Sequence, residues 1–540
     1  MQNLESALQA FRSIVGPEHV CVDAAARAAE QATFHTDARI PAVVSPADRA
    51  EVQACVRAAN CHHIPLYPVS TGLNWGYGSR VPPQNACVVL SLRRMNRILD
   101  FDDVQGHITL EPGVTMRQVH AFLAARRSRR MLSVTGGPPD SSVIGNICDR
   151  GMGAGPNADR FAHTANFEVV LPTGEHLTTG FGRFPGAAAA ALSRWGVGPY
   201  LDGLFTQSNL GIVTRLTVWL ALRPAEHQII VFGLRDGSRL ERLVDAMHEL
   251  QQQGVPRTTL SLWNDYKLAS MRRQYPFAAA AGQSPLPASL LAVMRRDWGG
   301  AAWLGGGAIF AVSRKHAQAE RELIKATLRP HVDRLVFIDR WVAGAAKLAR
   351  RVVGGWAGAR VLDELIQAYE HSPHLGVPTP QNIRSVYWRK RTEVPEHIDP
   401  DRDRCGAIWL SPTVPFRGAH VGLAIRTAET RIRAHGFEPN ISVVCLTERI
   451  ANLVIALMYD REVPGEDERA MACYRELLAA YVELGYIPYR LGIQSMDSLP
   501  RASDGWGTLM RTLKRSLDPN DILGPGRYDF RGDWDASDDA

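Results

Sequence analysis

The sequence predicts an α+β protein of two or three domains. Three observations carry this. A chain of 540 residues with 45% hydrophobic content is ample for a core and too long for one ordinary domain. Its first part holds two glycine-rich stretches, each close to apolar runs of strand length. After Pro224 the glycine density falls, and strand-like and helix-like patterns alternate.

Leu4 to Val15 has apolar residues at helical spacing and reads as an amphipathic helix. Ala47 to Ala59 reads as a second, with Val52, Val56 and Ala59 on one side. Ile64 to Tyr67 and Cys87 to Leu92 read as strands flanking the first glycine loop, Pro68-Val69-Ser70-Thr71-Gly72-Leu73-Asn74-Trp75-Gly76-Tyr77-Gly78-Ser79. Glycines there permit φ > 0, and bare backbone lets N–H groups converge on an anion. One such loop fits a tight surface turn as well as a pyrophosphate cradle; a second weighs for the cradle.

His107 to Glu111 alternates as a strand and ends at the turn Pro112-Gly113-Val114-Thr115, with a helix from about Met116 to Ala125. The second glycine-rich region runs Thr135 to Pro139, Ser141 to Asn146 and Gly151 to Gly155. Val143 and Ile144 interleave with its glycines, so it is not a disordered linker. It reads as backbone packed around a flat, polyanionic ligand. Phe167 to Glu175 is a strand running into a hairpin turn, and Ser208 to Thr214 leads into a strand through Leu220. Ile229–Leu234 and Leu304–Val312 are strands; Ser238–Gln252, His316–Leu328, Glu466–Leu484 and Trp506–Leu517 are helices. The last stops at Asp518-Pro519-Asn520-Asp521, and the acidic tail from Gly532 reads as frayed.

The net charge of +6 is modest for this length and gives no general argument for nucleic acid. The basic run Arg126-Arg127-Ser128-Arg129-Arg130 fits a solvated helix end. The eight cysteines are scattered without a C-x-x-C pair, which suggests neither a metal site nor a disulfide framework. Reduced, mostly buried thiols point to the cytoplasm. The N-terminus lacks the plan of a signal peptide, and no apolar run is long enough to span a bilayer.

Taken together, Ser70 to Gly78, Phe167 to Glu175, Gly196-Val197-Gly198-Pro199-Tyr200-Leu201-Asp202-Gly203-Leu204-Phe205, Ser208 to Thr214, Tyr489-Arg490, Leu517-Asp518-Pro519 and Gly524-Pro525-Gly526-Arg527 resemble the vanillyl-alcohol oxidase family of flavoproteins, near its 4-cresol dehydrogenase branch. The resemblance covers nearly the whole chain. It implies FAD in a two-subdomain binding domain over residues 1–223, an α+β cap over 224–493, and a segment, 494–540, that returns to the first domain. The cofactor positions it implies are Ser70, Thr71, Gly72, Leu73, Asn74, Trp75 and Gly76; Gly136, Gly137, Ser141, Ser142, Gly145, Asn146, Gly151 and Gly155; Gly211, Ile212 and Val213; and Arg527. The residues themselves agree, since two glycine loops suit a large, flat ligand with a pyrophosphate. The chain lacks the strand–G-x-G-x-x-G–helix opening of a dinucleotide-binding unit, which disfavours NAD.

In this family two tyrosines and an arginine hold a phenol oxygen, and the matching positions are Tyr77, Tyr489 and Arg490. A phenol has a pKa of about 10. A guanidinium and two hydroxyls aimed at its oxygen favour the phenolate. Phenolate electrons then turn a para benzylic C–H into a hydride donor to the flavin. A quinone methide results, open to hydration or to loss of a neighbouring proton. Asp159 matches an aspartate that assists beside the flavin, although Arg160 stands where a histidine is expected; a capping aspartate is the plainer alternative.

Three departures stand out. The positions of the family's linking tyrosine and histidine fall near Gly436–Asn440 and Ile450–Leu453, which contain neither. Non-covalent FAD is therefore expected, with Cys405 as a remote alternative linker. Asn452 and Leu453 replace a histidine pair, and Trp409 fits either a core tryptophan or a residue that faces the flavin or substrate and reshapes the pocket. Together these suggest a substrate larger than 4-cresol. Alternatives are a flavin enzyme of the same fold acting on a non-phenolic alcohol or hydroxy acid, or a subunit that passes electrons to a cytochrome. Replacing Tyr77, Tyr489 and Arg490 by Phe, Phe and Lys separates them. The expected partners are a small-molecule substrate and O2 or a redox protein; a homodimer or larger assembly is implied by the resemblance, and neither nucleic acid nor membrane is expected.

Overall fold

The computed structural model describes residues 2–353, 359–499 and 504–528; the acidic tail lies outside them. Three sheets organise the chain. The first has the order Val20–Cys21, Val43–Val44, Val88–Ser91, Leu66–Val69, and its last three strands are parallel. Helix Gln2–Val15 buries Ala7, Leu8, Phe11 and Val15, and helix Arg49–His62 buries Val52, Cys55, Val56 and Ala59, all in one core with these strands. Asp48 caps the second helix by accepting from Glu51 N, and His63, at φ 52°, ends it. The strand Leu66–Val69 therefore delivers the first glycine loop from a packed edge.

The second sheet is antiparallel, in the order Ile98–Asp102, His107–Leu110, Ile212–Trp219, Thr164–Val170, His176–Thr178. Helix Met116–Ala125 begins at Thr115 and Gln118, which cap each other reciprocally. The second glycine region is more regular than its composition suggests. Val143–Cys148 forms a short helix capped by Ser142, whose Oγ accepts from Gly145 N.

The third sheet has eight antiparallel strands drawn from residues 226–460, with Ile450–Asp460 pairing to Asn440–Cys445, Cys405–Leu410 and Thr413–Pro415. Strand periodicity splits its side chains between two faces. Ile408, Leu410, Leu453, Ile455 and Leu457 enter a core under helices Leu240–Gln252, Arg314–Leu328, Gly418–Ala434 and Glu466–Glu483. Trp409, Ala456 and Met458 point the other way, toward helix Asp265–Arg272.

The C-terminal stretch joins the first sheet. Leu66 N donates to Ile522 O, Gly524 N donates to Leu66 O, and Ile522 and Leu523 complete the core of the N-terminal helices. Lys514 anchors the approach through Asp518, Asn209 O and Leu523 O.

Candidate active site

The two glycine regions face each other across an open cleft. Ser70, Thr71, Gly72, Leu73 and Asn74 form one wall; Ser141, Ser142, Gly145 and Asn146 form the other; Gly211, Ile212, Val213 and Arg527 close it, and Arg490 lies at its edge. Ser142 N donates to Thr71 Oγ1, which ties the walls together. Arg527 donates to Tyr67 Oη at 2.9 Å and pairs with Asp149, whose other oxygen accepts from Asn74.

Backbone N–H groups test what this cleft holds. Among the described residues, none of the N–H groups of residues 71–75 is bonded within the chain. Consecutive unbonded N–H groups along a cleft wall, with a guanidinium opposite, fit a diphosphate. The residues present thus suit a dinucleotide cofactor. Three other predicted glycines meet residues of the stretch 374–409 instead. A Cβ on Gly76 would lie 1.8 Å from Trp409 Cδ1; one on Gly136 would meet Asn382 Nδ2, and one on Gly155 the carbonyl of His374. Gly137 lies beside Thr135 and Ser141, and Gly151 against Asn146.

Trp75 turns its indole away from the cleft, donating to Asp401, which also accepts from Ser79 Oγ at 2.8 Å. Asp401 is 2% exposed, and burial pushes its carboxyl up to about 7, with Ser79 and Arg80 opposing. Its proton is bound more tightly in the folded chain than in the unfolded one. Its contribution to stability is therefore full below about pH 4 and is lost as the pH rises through about 7, by up to about 1.4 kcal/mol per pH unit. Asp401→Asn is expected to flatten this part of the pH dependence in denaturant titrations at pH 5 and pH 8, relative to the parent chain. An unchanged pH slope would show that Asp401 is ionised throughout.

Tyr77, Tyr489 and Arg490 come together from distant parts of the chain. The Tyr77 side chain is buried and hydrogen-bonds Ser411 Oγ at 3.2 Å. Tyr489 is placed by Ser411 O, which accepts its N–H, and by Gln207, which donates to its carbonyl. The Arg490 guanidinium carbon lies 3.8 Å from the Tyr77 ring centroid and 5.6 Å from that of Tyr489. Its Nε is buried and has no acceptor. Burial raises the Tyr489 hydroxyl above its ordinary value despite Arg490, so it remains a protonated donor. Burial opposes the charge of Arg490, and its hydrogen bond to Tyr77 helps to hold that charge.

Asp159 stands apart. It is exposed, and its Oδ1 accepts from Ala162 N, the capping role. Its neighbour Arg160, 1% exposed, donates to Gly151 O, Ser133 O, Met152 O and Asn146 Oδ1; burial lowers its pKa to about 9. Asn452 is buried and bridges Thr413 to Met152 of the second glycine region. Cys405 is fully enclosed, and burial raises its thiol. Sequence reading missed Ser411, Asp149 and Asp401, because ordinary serines and aspartates acquire meaning only from what the fold sets against them.

The fold and this cleft define a flavin-dependent oxidoreductase. The chain matches the FAD binding domain family over residues 40–180 and the C-terminal domain of FAD linked oxidases over 386–528. It is 60% identical over 538 residues to the 1'-carboxy-chondrochloren decarboxylase of Chondromyces crocatus, with 99% of each chain covered. It is 28% identical to the 4-cresol dehydrogenase (hydroxylating) flavoprotein subunit of Pseudomonas putida, covering 96% of this chain and 94% of that one. The crystal structure of p-cresol methylhydroxylase with substrate bound superposes with a TM-score of 0.85 at 26% identity, covering 98% and 97%. The chain belongs to the p-cresol methylhydroxylase type of FAD flavoproteins, as an FAD-dependent enzyme. No described helix is long and apolar enough to cross a membrane.

Proposed function

We propose that this enzyme oxidises a para-substituted phenol at its benzylic carbon and expels a carboxylate carried one carbon further out, leaving a 4-alkenylphenol and CO2. The observation that carries the reading is Arg490, with an unbonded, buried Nε, gathered with Tyr77 and Tyr489. The name of the Chondromyces crocatus relative supports the loss of a carboxyl group.

FAD, when bound, supplies the hydride acceptor, and residues 70–74, 141–146 and 211–213 with Arg527 would hold it. Arg490 draws the phenol toward phenolate, and Tyr77 and Tyr489 orient it by hydrogen bonds. Loss of a benzylic hydride leaves the substrate as a neutral quinone methide. The C–COO⁻ bond on the next carbon then breaks. Its electron pair enters the quinone methide, regenerating the phenolate and forming the alkene. The proton given up on binding returns as the product leaves. No base is needed at the benzylic carbon, which agrees with Asp159 as a capping residue. A substrate without that carboxylate ends in hydration or desaturation.

In this reading residues 1–223 hold the flavin, 224–493 cap it and 494–540 return; the confinement of the third sheet to 226–460 and the pairing of Leu66 with Leu523 support the division. FAD is held without a covalent bond, which the absence of a linking histidine or tyrosine at 436–440 and 450–453 supports. Electrons pass to O2 or a redox protein.

The test is an anaerobic titration of the yellow enzyme with 4-alkylphenols and with 4-hydroxyphenyl acids bearing the carboxylate on the carbon next to the benzylic one. Bleaching with one CO2 per flavin reduced is the expected result for the acids. Bleaching by an alcohol or hydroxy acid, but by no phenol, would overturn it.

A further inference from the structure

We infer that Lys267 is a carboxylate-binding residue at the end of the substrate pocket opposite the phenol oxygen. The inference rests on the phenol reading above and names the group that recognises the substrate's acid.

Lys267 is 7% exposed, yet no carboxylate reaches its ammonium group among the described residues. Its hydrogen bond is to Ser385 Oγ, at 3.1 Å, and its Nζ lies 5.6 Å from the Trp409 ring centroid. A buried ammonium with one neutral acceptor leaves two N–H donors unspent. Nothing local favours it. It sits in the first turn of helix Asp265–Arg272, where backbone N–H groups already make the end positive. Burial alone lowers its pKa to about 8, so it is charged at neutral pH and able to gain from an anion.

Its neighbours lead to both glycine regions. Ser385 donates to the carbonyl of Asn382, whose amide packs on Gly136 of the second glycine region. Trp409 packs on Gly76 of the first. Lys267 is thus bracketed by the two cap residues that touch the two glycine regions. Ser411 directly follows the strand Cys405–Leu410, two residues or about 7 Å on from Trp409. Ser411 holds Tyr77 and Tyr489 at the phenol end, and Lys267 lies beyond Trp409. A substrate with a phenolate at one end and a carboxylate past its para carbon matches this order of charges. Among the described residues, Arg160 is the other buried cation without an acid, but its N–H groups are already committed to four chain oxygens.

Two phenols with no sp3 benzylic C–H test this in the holoenzyme: 4-hydroxycinnamate, which carries a carboxylate, and 4-vinylphenol, which does not. Their Kd values are read from the shift in flavin absorption. In the parent enzyme at pH 7 the acid is expected to bind at least tenfold tighter than 4-vinylphenol, an advantage that fades above about pH 8. Lys267→Met is expected to abolish that advantage and leave 4-vinylphenol within twofold, and Lys267→Arg to keep most of it. The methionine variant is expected to melt no lower than the parent, because an apolar chain replaces a buried unpaired charge. Equal losses for both ligands, or no change for either, would overturn the assignment. If neither ligand perturbs the parent's flavin, the phenol reading fails and the assignment with it. If 4-vinylphenol binds and the acid gains nothing from Lys267, the assignment alone fails.

Discussion

Replacing Arg490 with methionine is expected to lower kcat/KM for a 4-alkylphenol by about 10²–10³-fold at pH 7, the usual effect of removing one preorganised donor from a developing oxyanion. The geometry explains why the loss should be this large. Arg490 is partly buried, its Nε has no acceptor in the chain, and its guanidinium lies 3.8 Å from the centre of the Tyr77 ring. Burial keeps the Tyr489 hydroxyl protonated, so the tyrosines can orient a phenolate but cannot supply the charge that creates it. Without the arginine, the substrate must reach phenolate by its own acidity, at about pH 10. The variant's activity is therefore expected to climb about tenfold per pH unit between pH 7 and 9, narrowing the gap to the parent enzyme. A loss due only to disturbed packing would not shrink in this way. Lysine is a poor replacement, since a point charge cannot reproduce the planar fork over Tyr77. Activity within tenfold of the parent at pH 7, or a flat pH profile, would remove Arg490 from the chemistry.

The second large effect is expected from Gly76→Ala. Gly76 has φ +79°, where an L side chain costs about 1–2 kcal/mol, and its Cβ would sit 1.8 Å from Trp409 Cδ1. Relief requires the indole or the loop to move, adding about 1–3 kcal/mol. Moving either separates Tyr77 from Ser411. The variant should lose about 2–5 kcal/mol of stability and most of its activity. A double-mutant cycle with Trp409→Ala isolates the contact: in that background Gly76→Ala should cost only its backbone strain. Additive costs would show that Trp409 is not what Gly76 makes room for.

The sequence disclosed what depends on neighbours in the chain. The helix from Met116 was legible because the turn Pro112 to Thr115 announces it, and the strand into the first glycine loop because the run from Ile64 to Pro68 is apolar. Tyr77, Tyr489 and Arg490 were legible only through a family pattern; no spacing connects position 77 with 490. The helix Val143–Cys148 was hidden, since six mostly apolar residues among glycines show no period. Lys267 and Asp401 were hidden for a deeper reason. The meaning of a buried charge lies in which partners it has and lacks, and Ser385 stands 118 positions from Lys267, while Ser79 stands 322 from Asp401. Such information exists only once the sheets are assembled.

The return of the C-terminal stretch to the first sheet bears on how this protein is made. Leu66 exchanges hydrogen bonds with residues 522 and 524, and Arg527 braces Tyr67 and Asp149 at the mouth of the cleft. The glycine loops are synthesised long before the wall that closes over them. A growing chain that has not yet reached residues 522–527 therefore has no finished seat for its flavin. Cofactor capture becomes a property of a chain in which this return is made, and the yellow colour of a preparation reports on its correctly closed fraction.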